Sequence, residues 1–164
     1  RVFAARADAA AHPQATPEGA ARVAQLLATE AAAGLLSEGF YSDFQPQALR
    51  IKRELLSFLL QCQADGLTVG AYGAAAKGNT LLNFAGVRPD LLPYVVDKNP
   101  AKQGQYLPGS RIPIVDEAHL RAHRPDRVLI LPWNLRDEVA AQLDYVREWG
   151  GKLVVAIPRL EVLE

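Results

Sequence analysis

The sequence predicts a three-layer α/β domain built on a mostly parallel sheet of about five strands, with a helical segment ahead of it. Three observations predict this. From residue 67 onward, short apolar runs alternate with stretches of helical periodicity, which implies parallel strands joined by right-handed crossovers. The run Arg127-Val-Leu-Ile-Leu-Pro132 is apolar throughout its centre, as expected of a strand covered on both faces. Several runs end in turn-forming segments rich in glycine, asparagine or proline, where an open parallel sheet places its ligand sites.

The elements follow in order. Val2-Phe3 has the character of a short strand. Thr16-Pro17-Glu18 is a helix start: Thr16 can cap, Pro17 suits the first helical position and Glu18 favours the positive end. The helix continues through Val23, Leu26, Leu27 and Ala31 and stops near Gly34. Residues 35–45, with Phe40, Tyr41 and Phe44, read as a linker that docks by its aromatics. A second helix covers about 46–65, with Ile51, Leu55, Phe58, Leu59 and Cys62 on one apolar face. Asp65-Gly66 ends it. Strands are predicted over 67–73, 94–97, 112–115, 127–132 and 153–157. Pro113 makes the third an edge candidate. Helices are predicted over 74–84, 116–122 and from a cap at Asn134 to Gly150-Gly151. This pattern is that of a Rossmann-like domain.

Composition excludes several classes. Lysine plus arginine number 18 and aspartate plus glutamate 18, so the net charge is zero, which argues against a general nucleic-acid binder while permitting one local anion site. With 49% hydrophobic and 22% charged residues, the chain is neither disordered nor fibrous. The single cysteine, Cys62, falls on a helix's apolar stripe and reads as a small buried hydrophobe. His12, His119 and His123 make no metal-ligand cluster and read as surface or helix-end residues. There is no signal-peptide pattern, and no apolar run approaches a membrane span, so a cytoplasmic protein is expected. The Arg1 start and the absence of methionine lead us to expect a piece of a longer chain.

Three segments fall at carboxyl ends of strands. The first, Gly70-Ala-Tyr-Gly73-Ala-Ala-Ala-Lys77-Gly78-Asn79-Thr80, is a credible phosphate cradle. Its glycines allow close backbone approach, a helix amino terminus offers N–H groups, Lys77 adds a charge, and Asn79 and Thr80 add donors. It is not a Walker A loop, and its glycine spacings of three and five fit Gly-x-Gly-x-x-Gly only loosely. The other reading is a tight turn with close helix–strand packing. The second is Val96-Asp97-Lys98-Asn99-Pro100. Asp97 lies 24 residues beyond Gly73, where a carboxylate takes ribose hydroxyls in dinucleotide sites; equally, it can be a turn former. The polar stretch 102–109 after it can fold over a ligand or be a surface turn. The third is Leu131-Pro132-Trp133-Asn134. Trp133 can stack on a ring or be a core indole, and Asn134 can bond a ligand or cap a helix. No Ser-His-Asp or Cys-His arrangement is readable, and the acidic pairs Asp116-Glu117 and Asp137-Glu138 sit at helix starts, where the dipole accounts for them.

Taken in order, the segment from Gly70 to Asn83, Val-Val-Asp97-Lys-Asn-Pro, Lys102-Gln-Gly-Gln-Tyr106-x-Pro-Gly109 and Leu-Pro-Trp133-Asn-Leu-Arg-Asp-Glu138 closely resemble the C-terminal domain of S-adenosylmethionine-dependent sugar-nucleotide C-methyltransferases of deoxysugar pathways. The resemblance covers residues 12–164. It implies a tail of the preceding domain plus a helical linker over 1–45 and a Rossmann-like domain over 46–164. Members carry a zinc-binding domain and a central methyl-donor domain upstream, and the central domain holds the methyl-donor loop and the catalytic histidine and tyrosine. The resemblance therefore implies no catalytic residue and no S-adenosylmethionine site here, and an inactive fragment. It implies a nucleotide-sugar held between this domain and the central one, with Lys77, Asn79, Asn83, Lys102, Tyr106 and Trp133 at the family's motif positions. With Gly73, Gly78, Thr80, Asp97 and Asn134 these form the expected substrate-binding set. A stand-alone NAD(P)-binding oxidoreductase domain and a structural docking module remain alternatives.

Overall fold

The computed structural model describes Arg6 and residues 17–163. The expected Val2-Phe3 strand, the Thr16 cap and His12 lie outside them. The chain divides into two compact units, Arg1–Gln45 and Pro46–Glu164.

In the first unit, helix α1 spans Pro17–Ala32, with proline at its first position and Glu18 in its first turn. Gly34 follows at φ +83°. The apolar stripe predicted from spacing is there, but α1 buries none of its residues. Phe40 and Tyr41 meet each other edge-on, with ring centroids 5.1 Å apart, and the Tyr41 hydroxyl donates to the Leu35 carbonyl at 2.9 Å.

Helix α2 spans Phe44–Ala64 and, within the second unit, buries Leu55, Leu59 and Cys62, the face read from the sequence. Then come β1 (Val69–Tyr72), α3 (Ala76–Ala85), β2 (Val95–Val96), β3 (Ile114–Val115), α4 (Glu117–His123), β4 (Arg127–Ile130), α5 (Arg136–Gln142), β5 (Lys152–Val155) and β6 (Glu161–Leu163). The sheet order is β3-β2-β1-β4-β5-β6. The first five strands pair in parallel, with Tyr72 beside both Val96 and Ile130. The sheet is thus Rossmann-like, with one strand more than expected. That strand, β6, pairs antiparallel with β5; at three residues it is too short for period-2 alternation to mark it.

Alternate strand residues feed two cores, as the pleat requires. Ala71, Val95, Leu129 and Val154 face α2 and α3. Tyr72, Val96, Val128 and Ile130 face Leu120 of α4 and Val139 of α5. The expected single helix from Asn134 to Gly150 is broken: α5 ends at Gln142, and a 3₁₀ segment, Asp144–Trp149, takes over. Asp116 caps α4, accepting the His119 N–H at 2.9 Å, and Asp137 and Glu138 occupy the first turn of α5, so both acidic pairs sit at helix starts. No described helix is long and apolar enough to cross a membrane.

Candidate functional site

The chain runs from β1 outward to β2 and β3, then returns to the other side of β1 as β4. The connections leaving β1 and β4 therefore diverge, and a crevice opens at their carboxyl ends. Two glycines set its geometry. Gly73 has φ +89°, and a Cβ on it would stand 2.6 Å from Pro132 Cδ. A Cβ on Gly78 would stand 2.6 Å from the Leu131 Cβ. Both glycines serve close packing of the turn and α3 on the end of β4.

That packing brings the start of α3 beside the Trp133 turn. The residue at the N-cap of α3 is Ala75, which makes no side-chain capping bond. The amides of the first turn thus lack the side-chain acceptor that Ser, Thr, Asp or Asn would supply. Lys77 projects from this turn. Its ammonium lies over the Trp133 ring, 5.3 Å from the centroid, and donates to Asn134 Oδ1. Asn134 is therefore not the expected cap. Residues Trp133–Leu135 form a 3₁₀ turn, which delays α5 to Arg136 and leaves the Asn134 side chain to Lys77. Trp133 is half-buried: it packs against the core shared by α2 and α3 while meeting Lys77. Thr80 turns back into its own helix, its hydroxyl donating to the Ala76 carbonyl at 3.1 Å.

Asp97 is buried, with 9% of its surface exposed. Its Oδ2 accepts the Ala74 N–H at 2.8 Å and Lys102 Nζ at 3.0 Å, and its Oδ1 accepts the Asn99 N–H at 2.9 Å. Lys102 also donates to the Ala74 carbonyl at 2.9 Å. The backbone of stretch 102–109 is paired rather than left as a plain surface turn. Gly104 and Leu107 donate backbone N–H groups to the Ile114 and Ile112 carbonyls, each at 2.9 Å, and Ile114 donates to Gln105 at 2.8 Å. It is a short antiparallel rung on the outer side of β3. Asn83 ties it to α3: its Nδ2 donates to the Pro108 carbonyl at 2.9 Å, to the Asn79 carbonyl at 2.9 Å and to Asn79 Oδ1 at 3.0 Å.

Between this rung and the start of α3 lies a cleft of 570 Å³, lined by Ala75, Asn79, Lys102, Gln105 and Tyr106 among others. Tyr106 is 66% exposed there. The structure thus places three predicted residues, Asn79, Lys102 and Tyr106, on one cleft. It gathers Lys77, Trp133 and Asn134 on the opposite side of the α3 start. It sets Gly73, Gly78, Asn83 and Asp97 in the supporting framework. Gln105 was not foreseen, since nothing in a lone glutamine of a polar loop marks it.

A second cavity of 510 Å³ opens at the amino ends of the strands, lined by Leu59, Tyr94, His119 and His123 among others. There the two imidazoles stack at 3.7 Å. Burial, and then the neighbouring His123, hold the His119 pKa below its ordinary value. Burial pushes the Tyr72 hydroxyl up to about 12, with the nearby Glu117 and Asp97 carboxylates adding to it. Among the described residues no group of three or more His, Cys, Asp or Glu side chains is arranged to hold a metal ion.

C-methyltransferase NovU of Streptomyces niveus is 36% identical over 141 residues, 86% of this chain. The chain spans 34% of that relative's length. Residues 1–158 match the family described as C-methyltransferase C-terminal domain. On that match, which takes in every strand but the last, the chain belongs to the C-methyltransferase C-terminal domain family.

Proposed function

We propose that this domain binds and positions a nucleotide-linked keto-sugar for S-adenosylmethionine-dependent methyl transfer to carbon, as part of a longer enzyme whose methyl-donor and catalytic groups lie in an upstream domain. The observation that carries this reading is the start of α3: a helix end with no side-chain cap, Lys77 beside it, opening on a cleft at the carboxyl ends of the strands. Such an end favours an anion by its unpaired N–H groups and its dipole. A diphosphate fits that chemistry. Its negative charge needs only a few groups, consistent with a neutral chain.

In the complete reaction, a base of the upstream domain would take the proton from the carbon next to the sugar carbonyl, and methyl transfer to that carbon would release the donor as its neutral thioether. The donor, when bound, supplies an electrophilic methyl on a sulfonium. The described residues offer it little. The acid at the end of β2, Asp97, already serves Ala74, Asn99 and Lys102. The contribution of this chain is placement: diphosphate at the α3 start, nucleoside or sugar along the Tyr106 and Trp133 surfaces, and the reacting carbon held toward the neighbouring domain.

A thermal-shift series tests this. Uridine or thymidine diphosphate is expected to raise the melting temperature, whereas NAD and S-adenosylmethionine are not. Stabilisation by NAD in preference to the diphosphates would overturn the reading in favour of an oxidoreductase module. No response to any of the four would favour a docking module.

A further inference from the structure

One ion pair grips both backbone polar groups of Ala74. The Ala74 N–H donates to Asp97 Oδ2 at 2.8 Å, its carbonyl accepts Lys102 Nζ at 2.9 Å, and the two side chains meet at 3.0 Å. Ala74 needs this help. It lies past the end of β1 at Tyr72 and before the start of α3 at Ala76, so neither sheet nor helix satisfies its N–H and carbonyl. The grip is braced from below: Asp97 Oδ1 accepts the Asn99 N–H, and Gln103 Nε2 donates to the Asp97 carbonyl, each at 2.9 Å.

The position of Asp97 is the one from which Rossmann-like sites take a ribose diol. A diol needs both carboxylate oxygens. Here Oδ2 already accepts two bonds from the protein and Oδ1 one, and turning the carboxylate away would strand a backbone N–H of Ala74 or Asn99. Lys102 likewise spends two of its three ammonium donors on Asp97 and Ala74.

We propose that Asp97 and Lys102 are positioning residues. Together they fix the β1–α3 turn to the rung at 104–107 and set the direction of the α3 amides. The clamp itself stands on the contacts above; its effect on ligand affinity rests on the diphosphate reading.

The test uses this chain with Asp97→Asn, Lys102→Met and the double variant, with two readouts. The first is amide hydrogen exchange across residues 74–80 and 102–107 without ligand. The second is uridine diphosphate affinity by calorimetry. Each single variant is expected to speed exchange in both segments at least tenfold and to weaken the diphosphate about tenfold. The double variant is expected to be no worse than the poorer single one, because one coupled unit has already been lost. Lys102→Arg, which keeps charge and donors, is expected to hold exchange near the wild-type rate. Should Asp97→Asn fail to fold, Lys102→Met and Lys102→Arg make the same comparison. Unchanged exchange in the single variants would overturn the clamp, as would losses of affinity that multiply in the double variant. If exchange responds as expected while wild-type protein ignores uridine diphosphate, the clamp stands and the diphosphate reading falls.

Discussion

Gly78 and Leu131 meet across the crevice between β1 and β4, where a Cβ on the glycine would stand 2.6 Å from the leucine Cβ. Both atoms are the fixed stubs of their side chains, so no rotamer change relieves the contact. Either α3 or the end of β4 must move.

Gly78→Ala measures that rigidity. Alanine adds about 1 kcal/mol of helix preference, while overpacking a tight contact costs about 1–3 kcal/mol. The expected outcome is a net loss of about 1 kcal/mol in urea unfolding. A net gain of about 1 kcal/mol, the helix preference alone, would show that α3 shifts freely on the sheet.

Lys77 and Asn134 separate a ligand group from its holder. Lys77→Ala is expected to weaken uridine diphosphate about tenfold, the equivalent of about 1.4 kcal/mol. Asn134→Ala removes only the carbonyl that holds the ammonium in the free protein, and its affinity is expected to stay equal to wild type or tighten. A tenfold loss in Asn134→Ala, read by the same calorimetry, would place Asn134 on the ligand.

Asp126 gives a pH signature. Its Oδ2 accepts the Thr68 N–H and the Thr68 hydroxyl, each at 2.7 Å, and these bonds hold its pKa below the ordinary carboxylate value of 3.8. The folded value lies under the unfolded one, so the stabilisation is complete above about pH 4 and vanishes as pH falls through the depressed value. Asp126→Asn is expected to be less stable at neutral pH by under about 1 kcal/mol, because the pair faces solvent. The stability curves of the two proteins, followed by denaturant titration, should converge in acid. A constant gap down to low pH would remove the carboxylate charge from the account.

Cys62 is 3% exposed, and burial pushes its thiol pKa up. Ellman's reagent is expected to leave the native protein unmodified and to label one thiol after denaturation. Prompt labelling of native protein would mean that α2 opens locally.

Much of the framework was legible because it depends on local pattern. Leu55, Leu59 and Cys62 recur at helical spacing and are buried, and Arg127–Ile130 reads as a strand covered on both faces and is one. What escaped depends on pairing between distant residues. Lys102 reaches Ala74 from 28 positions away, and no local rule distinguishes a lysine aimed at a backbone carbonyl from one aimed at a phosphate. Asn134 shows the converse: asparagine before a helical pattern signals a cap, yet an intervening 3₁₀ turn left its amide for Lys77.

The rung at 104–107 has a bearing on solubility. A parallel sheet that ended at β3 would present unpaired N–H and carbonyl groups to any other extended chain. Here Gly104, Gln105 and Leu107 already pair with that border, and β6 pairs along β5 on the far side. Each margin of the sheet thus ends on a short antiparallel segment of the same chain, which offers another extended chain a shorter template than a full strand would.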